Sequence, residues 1–279
     1  MNLLLDPLRF PFMQHALLGS IFVGAICAAL GTFVVLRKIG FIGEGLAHGS
    51  LGGLAIGYIF HWNLYLTGNI YTGALALLIG YLHAKAKVSL DTAIGIIFSA
   101  SLALGVALIS RMQSYTTDLT AYLFGSVLSI TNQDLQIIVI GASILLLLLV
   151  VFYKELVFCA FDPEMAEISG VPGTFFHYLL LLMIGAAVVI ASQTLGIILV
   201  TAMLVIPAAT AYQLTSSLGK MILLAVGVSI FASIVGLFVS YYLNIASGAS
   251  IALAAAICFL LTYVFSPKRK TLHSSFGLR

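Results

Sequence analysis

The chain has 279 residues, 62% of them hydrophobic and only 8% charged, about a third of the charged fraction of a soluble domain. That balance excludes a soluble enzyme. The net charge of +3 comes from Lys and Arg scattered in twos and threes, with no basic stripe, so nucleic acid is not a partner. Cys27, Cys159 and Cys258 are isolated and form no CxxC pair, which leaves neither a disulfide framework nor a thiolate zinc site.

The first residues, MNLLLDPLRFPFMQ, include Asp6 and lack the basic stretch and small-residue cleavage site of a signal peptide. Apolar runs then recur at 14–36, 41–60, 65–83, 91–110, 133–152, 173–192, 195–213, 220–243 and 249–265. Runs of this length cross a bilayer core as helices, which predicts an all-α polytopic membrane protein with about nine transmembrane helices. One domain is expected over 1–279: a helical bundle at 10–267, a cytoplasmic segment at 153–172 and a basic tail at 268–279. The intervening stretch 111–132 is too polar to face lipid and reads as an outer loop with an interfacial or re-entrant helix.

Nine crossings with the N-terminus outside place Arg37, Lys38, Lys85, Lys87, Lys154, Lys220, Lys268, Arg269, Lys270 and Arg279 on one face, and only Arg9 and Arg111 on the other. This asymmetry predicts a cytoplasmic C-terminus. An eight-helix alternative, with 195–213 re-entrant, puts Lys220 and the SPKRK tail outside and is disfavoured by the same rule. Gln193, Gly196 and Pro207 are expected to interrupt the 191–213 region, and such breaks are tolerated where freed backbone lines a cavity or is buried in protein.

The second run reads GFIGEGLAHGSLGGLAIGY. Glu44 and His48 are four residues apart, hence on one helix face. Counting from Lys38 puts His48 roughly 15 Å deep, near the middle of the bilayer core. A carboxylate at that depth costs about 2–3 kcal/mol unless a partner, a water path or a cation compensates it. Carboxylate with imidazole suits Mn, Zn or Fe better than Cu(I) or Mg; interfacial snorkelling and an interhelical hydrogen bond are the structural alternative. Gly45, Gly49, Gly53 and Gly57 recur every four residues on the neighbouring row and predict close helix packing.

After the fifth run, FDPEMAEISGVP specifies a short helix at about 163–169. Asp162 is an N-cap, Pro163 suits the first helical position, Glu164 favours the positive end of the helix dipole, and Gly170 with Pro172 stops it. No GxxxxGK[ST] phosphate loop and no HExxH helix occurs, so ATP hydrolysis through that motif would belong to a separate chain.

Together GEGLAHGSLGG, FDPEMAEISGVP and TLGIILVTAMLVIPAATAYQLT resemble the permeases of bacterial metal-ion ABC importers, the ABC-3 family, over residues 11 to 265. The resemblance implies a bacterial inner-membrane permease that carries Mn2+, Zn2+ or Fe2+ inward and binds no permanent cofactor. It implies a metal site at Glu44 and His48, where the family more often has Asp in place of Glu44. It implies an ATPase-coupling helix matched by Asp162, Glu164, Ala166 and Gly170. The family's Asp before the final helix is Asn244 here, which makes Asn244 a candidate pathway position. The implied partners are a cytoplasmic ABC ATPase, an extracytoplasmic metal-binding protein, a second permease copy and membrane lipid. Two rival readings stay open: a permease for a metal chelate such as a siderophore or cobalamin, and a gradient-driven transporter in which Glu44 and His48 relay protons.

Overall fold

The apolar runs fold into helices. The computed structural model describes residues 7–86, 88–110 and 130–265, and after a 310 turn at Pro7–Arg9 it contains eleven α-helices and no strand among them. These are α1 (Pro11–Leu36), α2 (Ile42–Ile59), α3 (Leu64–Ala86), α4 (Leu90–Ser110), α5 (Asn132–Val151), α6 (Tyr153–Phe161), α7 (Pro163–Ile168), α8 (Gly173–Leu195), α9 (Ile197–Leu214), α10 (Leu218–Leu243) and α11 (Ser247–Phe265). Most of the outer loop expected at 111–132, and the tail at 268–279, lie outside the described residues.

Eight of these helices are long and apolar enough to cross a membrane, one fewer than the nine expected. The missing one is α2, where Glu44, His48 and the glycines dilute the apolar content. Its solvent is protein: Gly45, Gly49, Gly53 and Gly57 are all buried, in a helix that packs chiefly on α3 and α4 and also meets α8. A Cβ on Gly49 would stand 2.9 Å from the Leu75 side chain, and one on Gly105 of α4 would stand 3.1 Å from the backbone nitrogen of Gly52. Ser101 Oγ donates to the Gly49 carbonyl at 2.7 Å and lies 3.0 Å from the Tyr71 hydroxyl, tying α2, α3 and α4 at one level.

On the other side α1 packs against α9 and α10, and α11 closes on α9 and α10. Gly31 of α1 meets the Leu204 carbonyl of α9, where no side chain fits. The segment α9 is not re-entrant in composition: its 18 residues qualify as a crossing. Of the three expected interruptions only Gly196 breaks the helix, with φ 87° and ψ 155°. Residue 193 continues α8, and Pro207 sits buried inside α9, where it removes one backbone bond without ending the helix.

The ends of the bundle differ in chemistry. At one end α1, α3 and α5 begin together: His15 Nδ1 donates to the Ile130 carbonyl at 3.2 Å, and the Tyr65 hydroxyl donates to Asp134 Oδ1 at 2.6 Å. Asp134 also completes a capping box with Thr131 at the start of α5. At the opposite end lie Arg37 and Lys38 after α1, His83 and Lys85 in the last turn of α3, the start of α8, and the pair α6 and α7. The short helix expected at 163–169 is α7, and the 153–172 segment carries a further helix before it, α6. Leu156 and Cys159, three apart, bury one face of α6 against the bundle.

Candidate functional site

Glu44 lies in the first turn of α2 and His48 one turn further on. The link from Lys38 to Phe41 turns instead of rising. His48 is therefore six residues, about 9 Å, beyond the start of α2, and Glu44 about 3 Å.

His48 Nδ1 is 3.2 Å from the backbone carbonyl of Glu44. A carbonyl only accepts, so Nδ1 carries the proton and Nε2 keeps its lone pair. A ligating histidine is commonly oriented this way, with the other ring nitrogen donating to a carbonyl. The imidazole is half-buried and meets the Phe98 ring edge-on, centroids 5.7 Å apart.

Glu44 is exposed on this chain and opens into a hollow of about 190 Å3 lined by Phe41, Gly45, Ile94, Gly95, Phe98 and a second carboxylate, Asp91. Asp91 stands in the first turn of α4, beside the Ser89 hydroxyl that accepts from the Thr92 N–H at 3.1 Å. Asp91 is not among the candidates the sequence offers: its place near the start of an apolar run is legible there, but its approach to α2 is not. No cluster of three or more His, Cys, Asp or Glu that could hold a metal occurs among the described residues. One copy thus presents a carboxylate and an imidazole for a passing cation and no closed coordination cage.

The remaining candidates lie elsewhere. Asn244 ends α10 in the left-handed conformation, φ 52°, with Ile245 N–H bonded to the Ser240 carbonyl. Asn is the residue other than Gly that best tolerates this conformation, and Asn244 is not among the residues lining the Glu44 hollow. Asp162 accepts from the Met165 N–H at 2.9 Å and caps α7. Gly170, φ 82°, closes α7 with the paired bonds Gly170 N–H to Glu167 and Val171 N–H to Ala166. Ala166 is fully buried, while Glu164 and Met165 are exposed, so α7 presents a free face beneath the bundle.

A profile described as the ABC 3 transport family matches residues 9–266. The manganese transport system membrane protein MntC of Listeria monocytogenes is 43% identical over 267 residues, 96% of this chain and 95% of the relative. The manganese import system permease protein ScaB of Streptococcus gordonii is 41% identical, covering 94% of each. Among solved structures, PsaBC from Streptococcus pneumoniae in complex with Fab superposes with a TM-score of 0.86 at 37% identity, over 98% of both chains. With its helical bundle, its polar α2 and these full-length matches, the chain belongs to the ABC 3 transport family.

Proposed function

We propose that this chain is the membrane subunit of an ATP-driven importer whose cargo is a divalent transition metal, Mn2+ first, with Zn2+ and Fe2+ as competitors. One observation carries the reading: on a single face of a mostly buried helix, Glu44 offers a carboxylate and His48 an Nε2 with its lone pair. Oxygen with imidazole nitrogen suits these cations. The hollow of about 190 Å3 beside Glu44 has room for an ion with part of its water. The relatives' names give manganese its priority.

The exposed face of α2 and α4 fits a second copy of the chain. Glu44 and Asp91 facing lipid would be costly, whereas a wet cleft between two copies lets both ionise. The basic residues at the end carrying Lys38, Lys85 and Lys154 support a cytoplasmic placement of that end, which in this reading puts the N-terminus outside and the C-terminus inside the bacterial inner membrane. The 153–172 segment, with α7 and its residues Asp162, Glu164, Ala166 and Gly170, then faces a separate ATPase. An extracytoplasmic metal-binding protein delivers the ion to the opposite end, and alternating access moves it past Glu44 and His48.

Reconstituting the complete transporter in liposomes tests this. ATP-dependent Mn2+ uptake that survives collapse of the ion gradients is expected. Uptake that needs a proton gradient and no ATPase would contradict it and favour the secondary-transport reading.

A further inference from the structure

Arg37 is the most conspicuous charged group for which metal passage through α2 has no use. It follows the last turn of α1, the long helix that packs on α9, α10, α5 and α8. Its side chain is half-buried and turns toward the α6–α7 end of the bundle. Nη1 donates to Nδ1 of His177 on α8 at 2.9 Å, and Nη2 to the backbone carbonyl of Cys159 on α6 at 3.3 Å. The Cys159 carbonyl belongs to the last turn of α6, where helix carbonyls lack intrahelical partners and favour a cation. One planar guanidinium at the end of α1 thus joins it to α6 and α8, through partners 122 and 140 residues away in sequence. Among the described residues no carboxylate pairs with it, and burial pulls its pKa below the usual arginine value.

The joint is satisfied on its inner side and loose around it. Accepting from Arg37 fixes the His177 proton on Nε2, and that atom is buried without a partner. On α6 the buried Oε2 of Glu155 is likewise unpartnered. Beside Arg37 a hollow of about 420 Å3 separates α3, α6, α7 and the start of α8, lined by His83, Cys159, Pro163, Glu167 and His177 among others. Close-packed protein transmits motion as a rigid body. Here unpaired polar groups and open space leave α6 and α7 room for a second arrangement relative to α3 and α8, and Arg37 is the polar tie to α1.

We propose that Arg37 is a coupling residue, a positioning strut that carries displacement of the α6–α7 segment, gripped at the Cys159 carbonyl, to the cytoplasmic end of α1 and to His177 of α8. This rests on the reading that α7 meets the ATPase. A neutral residue at position 37 would let α7 move while α1 stays behind.

The test uses the complete reconstituted transporter with wild type, Arg37→Gln, Arg37→Lys and His177→Phe, the last removing the acceptor on α8 without altering Arg37. Ions imported per ATP hydrolysed and hydrogen exchange in α7 and at Phe33–Arg37, with and without ATP and vanadate, are read together. For Arg37→Gln and His177→Phe the ratio of ions to ATP is expected to fall by about tenfold at unchanged assembly, with Arg37→Lys partly restored. The exchange change at Phe33–Arg37 is lost while that in α7 persists. If Arg37→Gln fails to assemble, His177→Phe decides on the same two readouts. Variants that keep the wild-type ratio and the linked exchange change overturn the proposal, as does a parallel fall of uptake and hydrolysis. An α7 that shows no exchange change in wild type removes the ATPase-contact reading and the strut with it.

Discussion

The Nδ1–H of His48 is held at 3.2 Å by the backbone carbonyl of Glu44, the same residue whose carboxylate opens into the hollow beside Asp91. One residue therefore serves twice: its main chain sets the tautomer of the imidazole, and its side chain offers the oxygen. Because the carbonyl hold is a main-chain feature, it survives replacement of the Glu44 side chain. Glu44→Ala thus removes a cation donor without releasing His48.

Asp91 shares the hollow but stands on another helix. Asp91→Asn is expected to raise the KM for Mn2+ by roughly two- to tenfold with little change in maximal rate, because it removes a nearby charge through partly wet surroundings and leaves both donors on α2 in place. Initial uptake rates across Mn2+ concentrations check this, and the difference from wild type should shrink as salt is added.

The Tyr65 to Asp134 bond should be a stability feature and not a transport one. Asp134→Ala loses the capping box and the acceptor for Tyr65, an expected cost of about 2 kcal/mol. Tyr65→Phe loses only the hydroxyl, about 1 kcal/mol. Thermal unfolding of the detergent-solubilised protein, run as a double-mutant cycle, should give a coupling between them.

Packing predicts a contrast between two glycines. At Gly31 an added methyl meets the Leu204 carbonyl, which is backbone and cannot swing aside, so Gly31→Ala should destabilise by about 1–3 kcal/mol or more. At Gly40 nothing lies within 4 Å of an added Cβ, and Gly40→Ala should stay within about 0.5 kcal/mol. Folded yield and melting temperature of the two variants compare them directly.

Burial pushes the Cys159 thiol above its ordinary value of 9.0, with Arg37 pulling the other way. The folded chain favours the neutral thiol, so stability from this group holds at neutral pH and is lost as pH rises through the unfolded value and above. Maleimide labelling of Cys159, followed by mass spectrometry of its peptide, should be slow at pH 7 and accelerate with pH. Arg37→Gln should slow it further by removing the opposing charge.

Much of this architecture was legible because it is set by local rules. Asp162, Pro163 and Gly170 specify the start and stop of α7 through three residue types with fixed positional roles, and the structure realises each. The glycines of α2 announced a close approach, and α3 and α4 supply it. What failed to show needed tertiary information. YKELVFCAF belongs to the cytoplasmic segment without a helix of its own in the sequence, and becomes one where the bundle buries Leu156 and Cys159. Pro207 looks like a break, yet α9 absorbs it. Asp91 joins Glu44, and Arg37 joins His177, only through packing of helices far apart in sequence.

The most direct test of the central claim is metal accumulation in cells carrying the complete transporter, comparing wild type with Glu44→Ala and His48→Ala at matched membrane levels by mass spectrometry for Mn, Zn and Fe. Each substitution is predicted to lower accumulation of manganese by at least about tenfold while the other two metals stay at background. Normal manganese accumulation in both variants would contradict the account and reduce the pair on α2 to a structural hydrogen bond.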